Sequence, residues 1–246
     1  MRYAIISDIH GNHPALSAVK ASLKNEQPDE VICLGDIVGY GAEPGLCLRE
    51  TLELCRTVVA GNHDHGVAGR LETSFFSANA RKAVEWTSKV LDPAEKKLLY
   101  DLPLLKEVSW PDGIFVAAHS APEKPQEWRY ILSMDEAEYQ FEHFSLPLCF
   151  IGHSHLPIFW RLGPDGECSM AGREYLRLEP GNRYIINAGS VGQPRDGDPR
   201  ACYAVYDSQR RELIIRRVEY DLAQAQQKIL KAGLPARLAE RLAQGV

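Results

Sequence analysis

Short clusters of histidine, aspartate and asparagine recur along the first two thirds of the chain. They are Asp8-Ile9-His10, Gly35-Asp36-Ile37-Val38-Gly39, Gly61-Asn62-His63-Asp64, Ala118-His119-Ser120 and Gly152-His153-Ser154-His155. Five of the eight histidines fall inside these clusters. Imidazole, carboxylate and amide groups that converge from distant positions are typical ligands of hydrolytic metal centres. The pattern therefore predicts a metal-dependent hydrolytic site.

The candidate ligands carry little negative charge. They are Asp8, His10, Asp36, Asn62, His119, His153 and His155. Two divalent cations, two aspartates and one hydroxide would leave a net charge of about +1, which suits an anionic phosphate ester. Mixed imidazole and oxygen ligands favour manganese, iron, zinc or nickel over calcium, and the sequence leaves the choice among these four open.

Each cluster follows an apolar run that predicts a buried strand, at residues 2–6, 31–34, 57–60, 113–118 and 148–151. At a strand end, the two-residue spacing of Asp8 and His10 would point both side chains the same way. Strands alternate with predicted helices up to residue 152, and strands and turns follow. This order predicts an α/β (α+β) sandwich, in which two mixed sheets pack face to face with helices outside. Ligands gather beyond the carboxyl ends of such strands.

Bulk composition is that of an ordinary globular protein, with 45% hydrophobic and 25% charged residues. A net charge of −5 argues against a broad nucleic-acid-binding surface. No signal peptide and no membrane-spanning apolar stretch can be recognised. The six cysteines form no CxxC pair, which favours reduced thiols in a cytoplasmic protein. No linker or repeat divides the chain, so a single domain over residues 1–246 is predicted.

The five clusters resemble, in the same order, the D-x-H, G-D-x-x-G, G-N-H-[DE], H and G-H-x-H motifs of the calcineurin-like metallophosphoesterase superfamily. Residues 39–44, 119–122 and 187–195 are similar to a compact bacterial and archaeal branch that includes phosphodiesterases and lacks a large cap domain. The resemblance implies a four-layer αββα fold. The chain departs from the fourth motif at Ala118, because family members often have a glycine directly before the histidine that corresponds to His119. That glycine is not a ligand, so the departure leaves the implied site intact.

Carried over to this sequence, the resemblance implies a centre of two divalent metal ions. One ion would be held by Asp8, His10, Asp36 and His155, and the other by Asp36, Asn62, His119 and His153. His63 would face the substrate, as proton donor to the leaving group or as stabiliser of transition-state charge, and Asp64 would orient its ring. A hydroxide bridging the ions would attack phosphorus in line. The implied activity is a dinuclear metal-dependent phosphoric ester hydrolase.

Three further residues are candidates for substrate contact. Arg195 lies in a Gly/Pro-rich loop, where it could bind a phosphate, or instead form a surface ion pair with Asp196 or Asp198. Tyr40 could line the cleft. Tyr130 could stack on a nucleobase, or instead pack in the core or in a lid. The expected partner is a small phosphodiester, phosphomonoester or dinucleoside polyphosphate.

Two other functions stay open at this stage. One is a catalytically silent scaffold with the same fold, against which the intact ligand set and His63 argue. The other is a DNA nuclease, against which the lack of a basic arm argues. A membrane partner is not expected, and a homodimer is compatible with the sequence without being required by it.

Overall fold

The computed structural model describes residues 1–110 and 113–246. Six of its strands form a first sheet: β1 (Arg2–Ile6), β2 (Glu30–Cys33), β3 (Thr57–Val58), β9 (Tyr175–Arg177), β11 (Ala201–Asp207) and β12 (Glu212–Val218). Their order across the sheet is β3-β2-β1-β11-β12-β9. The first three run parallel to one another, and the other pairings are antiparallel.

A second six-stranded sheet contains β4 (Leu105–Trp110), β5 (Gly113–Ala118), β6 (Leu148–Ile151), β7 (Ile158–Leu162), β8 (Cys168–Gly172) and β10 (Arg183–Asn187). Its order is β4-β5-β6-β10-β7-β8 among the described residues. Strands β5, β6 and β10 are parallel, and the remaining pairs are antiparallel. Both sheets are therefore mixed, as the sequence predicts.

Helices follow the local signals in the sequence. They are α1 (His13–Glu26), α2 (Pro44–Leu54), α3 (Asn62–Val67), α4 (Ala78–Val90), α5 (Pro93–Asp101), α6 (Met134–Phe141), α7 (Leu222–Lys231) and α8 (Ala236–Gln244). Asn12, Asp92 and Asp221 accept hydrogen bonds from backbone N–H groups in the first turns of α1, α5 and α7. Each such cap contributes about 1 kcal/mol to the helix that it begins.

Three apolar clusters separate the layers. Tyr3, Phe115 and Phe150 belong to the cluster between the two sheets. Leu16 of α1 belongs to the cluster on the outer side of the first sheet, and Phe141 of α6 to that of the second. Burial of each such side chain contributes about 1.5–3 kcal/mol, so apolar contacts fix the order of the layers. The predicted four-layer αββα sandwich is confirmed.

The sequence-based expectations left out several short elements. Helix α3 begins within the third ligand cluster. Strands β4, β8 and β9 lie at sheet edges, and few of their described residues are buried. Such elements have little periodicity of their own, because tertiary pairing stabilises them. The division of the chain into a single domain without a cap stays a prediction.

Candidate metal centre

The predicted ligand clusters meet at one edge of the sandwich. Asp8 and Asp36 lie just beyond the carboxyl ends of β1 and β2 in the first sheet. His119 and His153 lie beyond β5 and β6 in the second sheet. Because these strands run parallel within each sheet, their ends bring together residues that are distant in sequence.

Asp8 presents one carboxylate oxygen to the centre. Its Oδ2 accepts a hydrogen bond from the backbone N–H of His153 at 3.0 Å. Its Oδ1 lies 3.2 Å from Nε2 of His155 and 3.8 Å from Nε2 of His10. The residue is fully buried. The backbone contact thus orients Oδ1 toward the two imidazoles.

Asp36 is oriented in the same way. Its Oδ1 accepts the backbone N–H of His63 at 2.9 Å. Its Oδ2 lies 3.6 Å from Nε2 of His10 and 3.4 Å from Nε2 of His119. Burial alone would raise the pKa of Asp36, but the positive charge of His119 and other histidines lowers it well below its usual value. Asp36 is therefore an anionic group between the two halves of the centre.

Four imidazole rings are held by backbone carbonyl oxygens on the side away from the centre. The contacts are His10 Nδ1 to Val38 at 3.1 Å, His119 Nδ1 to Leu34 at 2.8 Å, His155 Nδ1 to Gln193 at 2.6 Å and His153 Nε2 to Trp128 at 2.8 Å. A carbonyl oxygen only accepts, so each of these ring nitrogens carries the proton. Once it carries no proton, the opposite nitrogen of each ring can present its lone pair to the centre.

These presented nitrogens face each other in pairs. Nε2 of His10 lies 3.1 Å from Nε2 of His155, and Nε2 of His119 lies 3.1 Å from Nδ1 of His153. Facing lone pairs repel unless a proton or a cation lies between them. Among the described residues, three sets of donor atoms lie within 4.8 Å of one another inside each set: Asp8, His10 and His155; Asp36, His119 and His153; and His10, Asp36 and His63. The donor set therefore fits divalent metal ions.

Asn62 is the neutral oxygen ligand predicted for the second ion. It begins α3 and lines the same cavity as Asp36 and His153. In the described part of the chain, its buried Oδ1 has no hydrogen-bond partner. A buried amide oxygen without a partner costs about 1–3 kcal/mol, which coordination of a cation would offset.

Left-handed backbone is concentrated at the centre. It occurs at Asp8, His10, Asp36, Tyr40, His153 and His155, with φ between 52° and 67°. Each such residue costs about 1–3 kcal/mol unless its surroundings impose the conformation. Asp8 and His10 do converge on one site, as expected. The expected reason, strand alternation, is wrong, since both residues lie in a loop with positive φ. Loop conformation, rather than strand alternation, makes the side chains converge.

His63 lies beside the metal ligands in an aromatic enclosure. The centroid of its ring is 4.4 Å from that of Tyr40, 4.9 Å from that of His10 and 5.1 Å from that of Phe76. Among the described residues, its Nδ1 has no hydrogen-bond partner. Burial lowers the pKa of the ring to about 4, so the imidazole is neutral at pH 7. His63 also lines the cavity above the centre.

Asp64 does not orient the His63 ring, which corrects the expectation from the sequence. Its Oδ1 accepts the backbone N–H of Val38 at 3.2 Å, and its Oδ2 accepts the N–H of Gly61 at 2.9 Å. Burial and the nearby charge of Asp36 raise the pKa of Asp64 to about 7. The carboxyl group thus joins the Asp36 loop to the start of α3, and it positions His63 only through the backbone.

A cavity of about 420 Å³ opens above the ligands. All three predicted substrate-contact residues, Tyr40, Tyr130 and Arg195, line it. Tyr40 is 8% exposed and packs on His10 at 4.6 Å between ring centroids. Tyr130 is 45% exposed and stacks on His153 at 4.2 Å. Both tyrosines therefore form walls of the cavity.

Arg195 faces the cavity rather than the acidic residues that follow it in sequence. Asp196 pairs with Arg217, and Asp198 pairs with Arg200 at 2.6 Å. The side chain of Arg195 instead donates to Oε1 of Gln193 at 3.0 Å. The alternative of a surface ion pair with Asp196 or Asp198 is therefore wrong.

Some cavity residues are absent from the expectations based on sequence. Phe75 and Phe76 precede α4, and Arg241 lies in α8, yet all three line the cavity. None belongs to a motif, and Arg241 is separated from the last cluster by more than eighty residues of chain. A basic residue on the polar face of an amphipathic helix carries no signal that distinguishes it from a solvated one.

Comparison with known proteins agrees with this geometry. A model of the calcineurin-like phosphoesterase superfamily domain matches residues 1–211. The chain belongs to the calcineurin-like phosphoesterase superfamily. Across the residues that the structure describes, no helix has the length and apolar character needed to cross a membrane.

Proteins similar to this chain occur in a bacterium and in archaea. A metallophosphoesterase structure from Sphaerobacter thermophilus has 39% identity and a TM-score of 0.85, covering 100% of this chain and 99% of that chain. An uncharacterized protein of Methanocaldococcus jannaschii is 40% identical over 240 residues, 97% of this chain and 96% of its own length. A hypothetical protein of Pyrococcus horikoshii shares the fold at 18% identity, with a TM-score of 0.79 and coverage of 100% and 98%.

Proposed function

We propose that this protein is a dinuclear metal-dependent hydrolase of small phosphate esters. The observation that carries the proposal is the convergence of four oriented imidazoles and two carboxylates in the donor sets. Membership of a phosphoesterase superfamily supports hydrolysis of phosphate esters. Manganese, iron, zinc and nickel all suit the mixed donors.

The charge of the site favours an anionic substrate. Asp8 and Asp36 supply two negative charges, against the four positive charges that two divalent ions would carry. Arg195 adds a further positive charge on the cavity wall. When bound, the ions would polarise the phosphoryl oxygens and lower the pKa of water at the site. The protein residues would hold the phosphate between the centre and Arg195.

His63 would act on the leaving group. Because its pKa is about 4, the ring enters the reaction as a neutral imidazole. Of the two roles expected for it, donation of an N–H hydrogen bond to developing negative charge agrees better with a neutral ring than transfer of a proton from imidazolium. The aromatic enclosure would keep the ring in place and exclude water from it.

Two alternatives receive less support. A silent scaffold has no need for pairs of imidazole nitrogens that face each other at 3.1 Å in a buried site. A DNA nuclease would need a long basic surface, whereas the net charge is −5 and the cavity measures about 420 Å³. A small substrate, a cytoplasmic location and a homodimer stay predictions.

The test combines metal analysis with turnover of bis-p-nitrophenyl phosphate in the presence of manganese. Asp36→Asn is expected to lower occupancy of both ions, because Oδ2 of Asp36 lies between His10 and His119. His63→Ala is expected to keep the metal and lose about 10²–10⁴-fold in kcat.

His143→Ala is the matched control, since His143 is exposed on the chain that follows α6. Wild-type turnover by the His63→Ala variant would refute the role of His63. A metal-loaded wild-type protein that is inert toward phosphomonoesters, cyclic nucleotides and dinucleoside polyphosphates would refute the proposed function.

A further inference from the structure

Phe75 exposes an aromatic ring in the cavity above the metal ligands. Its side chain is 62% exposed, more than any other large apolar side chain in residues 1–110 and 113–246. A single exposed apolar side chain on an open surface is common, but Phe75 lines the same cavity as Asp36 and His63. Covering such a ring with another apolar ring releases water and is favourable. The ring is therefore available to a molecule that enters the cavity.

Ring contacts connect Phe75 to the residue that would act on the leaving group. The centroid of the Phe75 ring is 5.2 Å from that of Phe76, which in turn is 5.1 Å from that of His63. Among the described residues that line the cavity, the other exposed aromatic side chain is Tyr130, which stacks on His153 at 4.2 Å. Phe75 thus lies on the leaving-group side of the cavity, whereas Tyr130 covers a predicted metal ligand.

The backbone holds Phe75 in place on both sides along the chain. The N–H of Phe76 donates to the carbonyl oxygen of Thr73 at 3.0 Å, which closes a turn that contains Phe75. Ser77 follows directly and caps α4. A Cβ atom at Gly66 would lie 3.2 Å from Cγ2 of Thr73, so the turn packs directly on α3. The turn is thereby fixed against the helix that begins in the third ligand cluster, and it presents the Phe75 ring to the cavity.

The wall that Phe75 forms suits an uncharged group. No charged residue occurs in residues 75–80, and the charged side chains of the cavity, such as Glu127 and Arg195, come from other segments. The cavity volume of about 420 Å³ falls within the range of about 300–1,000 Å³ that is typical of pockets for small organic molecules. It therefore has room for more than a phosphate group. The anionic part of a substrate would face the metal ligands, and an apolar part would face Phe75.

We propose that Phe75 determines the leaving-group specificity of the site, by stacking on a planar aromatic ring in the leaving group of the phosphate ester. This inference rests on the proposed function, because it takes His63 as the residue beside the leaving group. Two successive ring contacts separate Phe75 from His63, so the aromatic ring of the substrate needs a short spacer between it and the phosphorus atom. Phe75 selects the substrate and takes no part in the chemical step.

The experiment measures equilibrium binding of 3-phenylpropylphosphonate and of propylphosphonate by calorimetry, at fixed free manganese. The two phosphonates have the same charge and the same spacer, and they differ in one phenyl ring. We expect the wild-type protein to bind 3-phenylpropylphosphonate about tenfold more tightly than propylphosphonate. Phe75→Ala is expected to lose about tenfold in affinity for 3-phenylpropylphosphonate and less than about twofold for propylphosphonate. Phe75→Trp keeps a flat ring, and it should stay within about threefold of the wild type for both ligands.

Tyr139→Ala is the matched control, because it removes an aromatic ring that is 43% exposed on α6, away from the described residues that line the cavity. It should leave both affinities unchanged. An equal loss for both ligands in Phe75→Ala would assign Phe75 a structural role and overturn the proposal. Equal wild-type affinities, no binding of either ligand, a Phe75→Trp variant as weak as Phe75→Ala, or an equal loss in the control would overturn it as well. Neither phosphonate is hydrolysed, so turnover of bis-p-nitrophenyl phosphate remains a separate test of the proposed function.

Discussion

Gly39 supports the His63 ring, and its replacement by alanine tests whether the position of that ring matters. The backbone at Gly39 has φ +90°, and a Cβ atom there would lie 2.4 Å from Nδ1 of His63. Ordinary contact of a Cβ atom begins at 3.4 Å, so the ring or the loop must move by about 1 Å. Tyr40, His10 and Phe76 enclose the ring on its other sides and limit where it can go.

A displacement of about 1 Å in a positioned catalytic group costs roughly 100-fold in rate, or about 2.7 kcal/mol in activation free energy. We therefore expect Gly39→Ala to lower kcat for bis-p-nitrophenyl phosphate about 100-fold, with metal content close to that of the wild type. The backbone itself adds about 1–2 kcal/mol of strain, because alanine is forced to positive φ. Turnover with manganese and metal analysis of the same sample separate the two quantities.

Gly166→Ala is the control for backbone strain alone. Gly166 has φ +84° in the turn between β7 and β8, and a Cβ atom there meets nothing within 4 Å. Both variants should lose about 1–2 kcal/mol of the free energy of unfolding to backbone strain, but only Gly39→Ala should lose turnover. If Gly39→Ala kept wild-type kcat, the argument that a fixed His63 ring drives catalysis would be refuted.

Two further predictions concern the same centre. Asp64→Asn should lower the free energy of unfolding, measured in urea, by about 1–3 kcal/mol. The reason is that an amide has only one oxygen, so it cannot accept hydrogen bonds from the backbone N–H groups of both Gly61 and Val38. An equal loss from Asp101→Asn, at an exposed position, would contradict this. Manganese affinity should rise with pH between 6.5 and 7.5, by up to about tenfold, when measured by calorimetry. Although burial alone would lower the pKa of His119, the charge of Asp36 raises it to about 9 in the metal-free protein, so binding must displace a proton. A pH-independent affinity would contradict that reasoning.

Much of the fold could be predicted because local chemistry agrees with the tertiary structure. Apolar runs predicted the strands that precede each ligand cluster. Asn12 and Asp92 predicted the starts of two helices that the structure contains. Strands β4, β8 and β9 and helix α3 could not be predicted, because pairing with distant segments stabilises them rather than their own periodicity.

The same distinction between local chemistry and tertiary contacts applies to the candidate site. Residue type and order determined which side chains could hold metal, since imidazole and carboxylate groups have few other uses in such short clusters. Tertiary structure decided how they are held: Asp64 bonds to the backbone at Gly61 and Val38 rather than to the His63 ring. It also decided that Arg241 reaches the cavity, because the docking of α8 on the loop after Arg195 depends on a close backbone approach at Gly245. The sequence alone determines which side chains can bind metal. How those side chains are oriented, and which helices come close to the cavity, depends on contacts between segments far apart along the chain.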